Sequence, residues 1–160
     1  MAVLSKRFLT QAFTVLTLSL ALGVAGCAKK PPANTAGVAT PGSPADFAQN
    51  VGDRVLFLVD SSQIEPTAAQ ILARQAAWLN QYPRYQVTVE GHADERGTRE
   101  YNIALSARRA EAAKNFLVSR GVPSSRLRTL SFGKERPVAV CDAESCWSQN
   151  RRAVTVLDGG

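Results

Sequence analysis

Fifteen residues without a charged side chain, Phe8 to Leu22, follow a basic pair, Lys6 and Arg7, in a chain of 160 residues. The run is short for a bilayer span, which takes about 20 apolar residues. The small residues Gly23, Ala25 and Gly26 end it, just before Cys27. This pattern reads as a secretory signal with its cleavage site at Cys27. It constrains everything downstream. Residues 1–26 are expected to leave, and the remainder must fold where thiols can pair.

Three cysteines, Cys27, Cys141 and Cys146, make an odd count, which in a secreted chain leaves one to explain. Cys141 and Cys146 lie close together and are expected to form a disulfide that stiffens the loop after Pro137. The remaining cysteine stands at the cleavage site. Val24-Ala25-Gly26-Cys27 resembles a bacterial lipobox, so Cys27 is expected to be acylated and to anchor the chain in lipid. Each buried methylene contributes about 0.8 kcal/mol, so several chains hold firmly where one holds marginally. Ala28, rather than an aspartate, follows the cysteine. By resemblance to lipoproteins this implies an outer-membrane address, with the folded part facing the periplasm.

Residues 27–50 are rich in Pro, Ala, Gly and Ser and show no core-forming period, so they read as a flexible lipidated linker. The folded domain is expected over 51–160. Within it, Arg54 to Asp60 is a short apolar run and reads as a buried strand. Pro66 suits the first turn of a helix that carries Ile71, Leu72, Trp78 and Leu79 and stops at Tyr82-Pro83. Trp78 is expected in the core. Tyr85 to Glu90 alternates and reads as a strand. A polar loop, Gly91 to Gly97, leads to a helix capped by Thr98 and stopped by Gly121. Leu127 to Phe132 and Arg152 to Leu157 read as strands, with a loop between them that holds both late cysteines. The alternation predicts an α/β two-layer sandwich with helices packed on one sheet.

The formal net charge is +6. The basic residues are scattered and no aromatics interleave them, which argues against nucleic acid. One His and two late cysteines are too few for a closed zinc site, so no metal and no cofactor are expected. The informative stretch is the loop Gly91-His92-Ala93-Asp94-Glu95-Arg96-Gly97 and the helix after it. Asn102 and Arg109 are seven apart and share a helix face. Asp94, Asn102 and Arg109 can therefore surround one pocket. A carboxylate and a guanidinium facing a shared space suit a zwitterionic ligand. Spacing alone equally allows Asp94 and Arg109 to bridge each other and fix the loop. A hydrolytic triad of His92, Asp94 and Ser106 lacks a Gly-flanked nucleophile, and His92 is expected instead to support the Asp94 loop by hydrogen bonding. No enzyme activity is expected. Arg151 and Arg152 begin the last strand and either face an anionic partner or solvate a sheet end.

The segments Gly91-His92-Ala93-Asp94-Glu95-Arg96-Gly97-Thr98, Tyr101-Asn102-Ile103-Ala104-Leu105, Arg108-Arg109-Ala110 and Asn150-Arg151-Arg152-Ala153-Val154 resemble the OmpA-like peptidoglycan-binding domain family. The resemblance runs from about Val55 to Val156, and the leader and linker resemble the lipoproteins of the Tol-Pal system. It implies a βαβαβ-type sandwich with a mixed sheet. It implies non-covalent binding of the diaminopimelate of peptidoglycan, with Asp94 on the side-chain ammonium, Arg109 on the carboxylate and Asn102 in support. It also implies partnership with TolB and other Tol proteins and a part in cell division. The alternative is a wall-binding lipoprotein without a Tol role. Many relatives carry an acidic residue where this chain has Leu58, which leaves Asp60 as a weaker ligand candidate.

Overall fold

The computed structural model describes residues 39–158. The leader, Cys27 and the linker up to residue 38 lie outside the described residues. Strands β1 (Arg54–Leu56), β2 (Gln86–Gly91), β3 (Leu127–Ser131) and β4 (Arg152–Asp158) form one mixed sheet in the order β1-β4-β2-β3. β2 and β3 are parallel, and β4 runs antiparallel to both β1 and β2. Helices α1 (Pro66–Gln81) and α2 (Arg99–Ser119) pack on the sheet, and α3 (Glu144–Asn150) is a short helix before β4. The two-layer α/β sandwich is thus as expected.

The local reasons are those the residues suggest. Pro66 opens α1 within its first turn. The Thr98 hydroxyl accepts from the Tyr101 N–H at 3.2 Å and caps α2. Val87 and Val89 are fully buried on β2, against Leu72, Leu79, Ala110, Ala113 and Leu117 from the helices. Gly91 lets β2 and α2 meet: a Cβ there would lie 1.8 Å from the Ser106 carbonyl oxygen. That approach brings the end of β2, and the loop after it, against the first half of α2.

Three elements differ from the sequence reading. The strand at Arg54 ends at Leu56, and Leu58 and Val59 are more than half exposed. Here the chain turns, with Asp60 at a φ of 54° and the Ser61 N–H on the Leu58 carbonyl. The turn aims the carbonyls of Leu58 and Ser61 at the buried Arg109 guanidinium. Supplying acceptors to a buried cation outweighs burying two aliphatic side chains. Second, the loop after Pro137 contains α3, whose Cys146 is joined by a disulfide to Cys141 in the loop before it.

Third, packed structure begins before Val51. Pro44–Asp46 and Phe47–Val51 form two helical turns, and Phe47 is buried in the core against Trp78. The Asp46 carboxylate accepts from the Trp78 indole N–H, the Gly42 N–H and the Asn50 amide, each at 2.8 Å. These bonds hold the Asp46 carboxyl below its ordinary range. The Tyr85 hydroxyl donates to the Gly42 carbonyl at 2.8 Å. One aromatic side chain and one carboxylate suffice to dock a stretch whose composition reads as linker.

Candidate functional site

A pocket of about 370 Å³ opens between the Leu58–Ser61 turn, the Asp94 loop and α2. Asp60, Asp94, Arg96, Asn102, Leu105 and Arg109 are among its lining residues. The structure therefore brings together Asp94, Asn102, Arg109 and Asp60. It adds Arg96, which the sequence reading did not single out.

Arg109 is completely buried. Its Nε donates to the Ser61 carbonyl at 2.8 Å, and its two terminal nitrogens donate to His92 and Leu58 carbonyls at 2.9 and 3.1 Å. The guanidinium also lies 5.3 Å from the centre of the Phe57 ring. Burial lowers its pKa to about 10, with Asp94 opposing that shift. The group stays charged at neutral pH. A guanidinium has five N–H donors, and these three bonds leave two for a ligand carboxylate.

Asp94 does not bridge Arg109. Its Oδ2 accepts from Arg96 Nη2 at 2.5 Å and from Arg151 Nη1 at 3.2 Å. Its Oδ1 accepts from the Arg96 N–H and Nε at 3.1 and 3.3 Å. Burial pushes this carboxyl up, but the bonds from Arg96 and Arg151 outweigh it and hold the pKa below the ordinary value. Asn102 is buried, and its amide donates to the Arg96 carbonyl at 2.7 Å, pinning the loop to α2. Asp60 accepts a hydrogen bond from the Tyr101 hydroxyl across the pocket mouth.

His92 is buried, but its side chain does not hold the loop by hydrogen bonds as expected. Neither ring nitrogen has a partner, and Nε2 lies 3.6 Å from Glu90. The ring stacks on Phe132 at 5.4 Å. The backbone makes the connections: its N–H bonds the Arg152 carbonyl and its carbonyl accepts from Arg109. Burial, helped by the charges of Arg152 and Arg136, lowers the His92 pKa to about 4. A neutral ring packs here without a counter-ion. Ser106 is buried and bonded to Ser131, the Gly133 N–H and the carbonyls of Asn102 and Ile103. Its hydroxyl is committed to joining α2 to β3, so no nucleophile–base pair forms.

Arg151 is buried and not a surface charge at a sheet end. It spans Asp94, Glu144 and the Phe57 carbonyl. Arg152 is buried as well and donates to the carbonyls of Arg136 and Asn150. In the sequence the two stood out by their place at the start of the last strand and by lying in the Asn150–Val154 segment that carries the family resemblance.

The OmpA family model matches residues 56–152. The peptidoglycan-associated lipoprotein of Mesorhizobium japonicum is 62% identical over 159 residues, covering 94% of this chain and 95% of that protein. The one from Brucella melitensis is 61% identical over 152 residues, covering 90% of each. The chain belongs to the OmpA family, among its peptidoglycan-associated lipoproteins. Among solved structures, the peptidoglycan-associated lipoprotein from Burkholderia pseudomallei superposes with a TM-score of 0.68 at 36% identity, over 72% of this chain and all of that one. The C-terminal domain of MotB from Helicobacter pylori shares the fold, with a TM-score of 0.63 at 24% identity. The relatives carry names that state association with peptidoglycan and a lipoprotein nature, with no catalysed reaction in them.

Proposed function

We propose that the pocket between Asp94 and Arg109 binds the diaminopimelate side chain of peptidoglycan without covalent chemistry. The observation that carries this reading is the pocket itself. It holds one fixed carboxylate and one fixed guanidinium that do not neutralise each other. The unspent N–H groups of Arg109 take the ligand's carboxylate in a charge-assisted pair. Asp94 attracts its ammonium. Leu105, which lines the pocket, supplies an apolar wall for the methylene chain that leads from this charged end back to the peptide stem. Asn102 holds the loop, and Asp60 stands at the rim.

On this reading acylated Cys27 anchors the chain in the outer membrane, and the stretch between Cys27 and residue 39 is the tether. The domain then joins membrane to wall from the periplasmic side. TolB and other Tol proteins are the proposed partners, and division the proposed setting, on the strength of the family. A wall-binding lipoprotein without a Tol role makes the same contacts, and pull-down with TolB separates the two.

Competition tests the ligand assignment. Free meso-diaminopimelate should release the mature chain carrying Cys27→Ala from sedimented wall, and lysine blocked at both its α-amino and α-carboxyl groups, which keeps an ammonium but no carboxylate, should not. Equal release by both would overturn the assignment.

A further inference from the structure

The Asp94 carboxylate has about four lone-pair directions. All four are taken: three by the Arg96 N–H, Nε and Nη2, and one by Arg151 Nη1. A ligand ammonium can therefore reach Asp94 only if a bond to one arginine yields. Arg151 cannot easily give way. Its side chain is 5% exposed, and it also holds Glu144 and the Phe57 carbonyl. Arg96 is different. Its side chain is 40% exposed, its guanidinium already lies 4.3 Å from the centre of the Trp147 ring, and Glu144 stands 3.9 Å from Nη2. A second seat for the same cation, one aromatic face and one carboxylate, is thus in place beside the first.

Resting on the diaminopimelate reading above, we propose that Arg96 is an internal counter-ion. It neutralises Asp94 in the free protein and is displaced by the ligand's ammonium into the seat formed by Trp147 and Glu144. The loop survives the exchange because its backbone contacts do not involve the guanidinium. The Arg96 N–H stays on Asp94, and the Arg96 carbonyl stays on Asn102. The Trp147 indole N–H donates to Glu95 at 2.7 Å, which keeps the seat next to the loop. α3, which carries both seat residues, is closed off by the disulfide between Cys141 and Cys146. One cation replaces another on Asp94, so the site selects ligands whose ammonium outcompetes a tethered guanidinium.

Titration of meso-diaminopimelate into the mature chain carrying Cys27→Ala tests this by calorimetry and by tryptophan emission. Removing a competitor should tighten binding, so Arg96→Ala should lower Kd about fivefold, the scale of one partly exposed charge pair. Arg96→Gln should also bind more tightly. In the parent chain, ligand should shift the tryptophan emission as Arg96, already beside Trp147 at 4.3 Å, gives up Asp94 and moves fully onto that ring. The shift should vanish in Arg96→Ala and in Trp147→Phe. Weaker or unchanged affinity in a folded Arg96→Gln would overturn the proposal, as would an unmoved emission in the parent. Asp94→Asn is the control: if it still binds, the pocket reading fails and takes this inference with it. If it fails to bind while the Arg96 variants match the parent, only the counter-ion role is lost.

Discussion

Arg151 donates from Nη1 to the Asp94 carboxylate at 3.2 Å, across 57 residues of chain. The bond ties the loop after β2 to the start of β4, and through Glu144 to α3. Arg151→Met should therefore cost about 3 kcal/mol, within the range for breaking a buried ion pair. The retained Arg96 contact keeps Asp94 from being left wholly unpaired. Urea unfolding of parent and variant measures the loss.

Arg109 serves the fold as well as the ligand. Its removal strands the carbonyls of Leu58, Ser61 and His92, and each unmet buried acceptor costs about 1–3 kcal/mol. Arg109→Ala should fail to fold well enough for a clean binding assay. Arg109→Lys keeps the charge but loses the fork. Circular dichroism should show it folded with a thermal midpoint lowered by several degrees, about what 2 kcal/mol produces in a domain of this size.

His92 makes stability depend on pH. Its folded pKa is about 4, below the ordinary 6.5, so between those values the unfolded chain binds the extra proton. Stability is therefore greatest above pH 6.5 and falls as pH drops toward 4, by about 2–3 kcal/mol. Glu90 is the nearby acid, and Arg136 and Arg152 are the nearby cations. Asp94, whose folded pKa is depressed, loses its own contribution only at still lower pH, as the pH falls below its ordinary 3.8. Guanidinium unfolding of His92→Phe and parent from pH 7 to 4 checks this. The variant should be nearly flat across that window.

The docked stretch before Val51 should be part of the cooperative unit. Phe47→Ala should cost about 3–4 kcal/mol, the range for emptying a buried aromatic site. A chain begun at Val51 should lose at least as much, because Asp46 and Phe47 both leave Trp78. Thermal unfolding of a chain begun at Ala39 against one begun at Val51 measures it.

Local signals predicted what local chemistry controls. Val87 and Val89 alternate, Thr98 caps a helix, and Tyr82-Pro83 ends one. Each appears in the fold because a strand face, an N-terminal cap and a proline act within a few residues. Asp94, Asn102 and Arg109 were also readable, since one turn and two helical steps place them together. What escaped depends on distant partners. Leu58 and Val59 look like core but are turned outward to aim carbonyls at Arg109. The Phe47 stretch looks like tether until Trp78 and Tyr85 are seen beneath it. Arg151 looks like a surface charge because Asp94 and Glu144 meet it only in three dimensions. α3 is seven residues long, too short for a period to show.

The central claim is that Asp94 in this pocket holds the wall. Cosedimentation with purified diaminopimelate-type peptidoglycan, comparing Asp94→Asn with the parent chain at equal folded concentration, tests it directly. The substitution keeps the shape of the side chain and removes its charge. The parent should pellet with this wall and not with a lysine-type wall, and Asp94→Asn should stay in the supernatant. Undiminished pelleting of a folded Asp94→Asn would contradict the account.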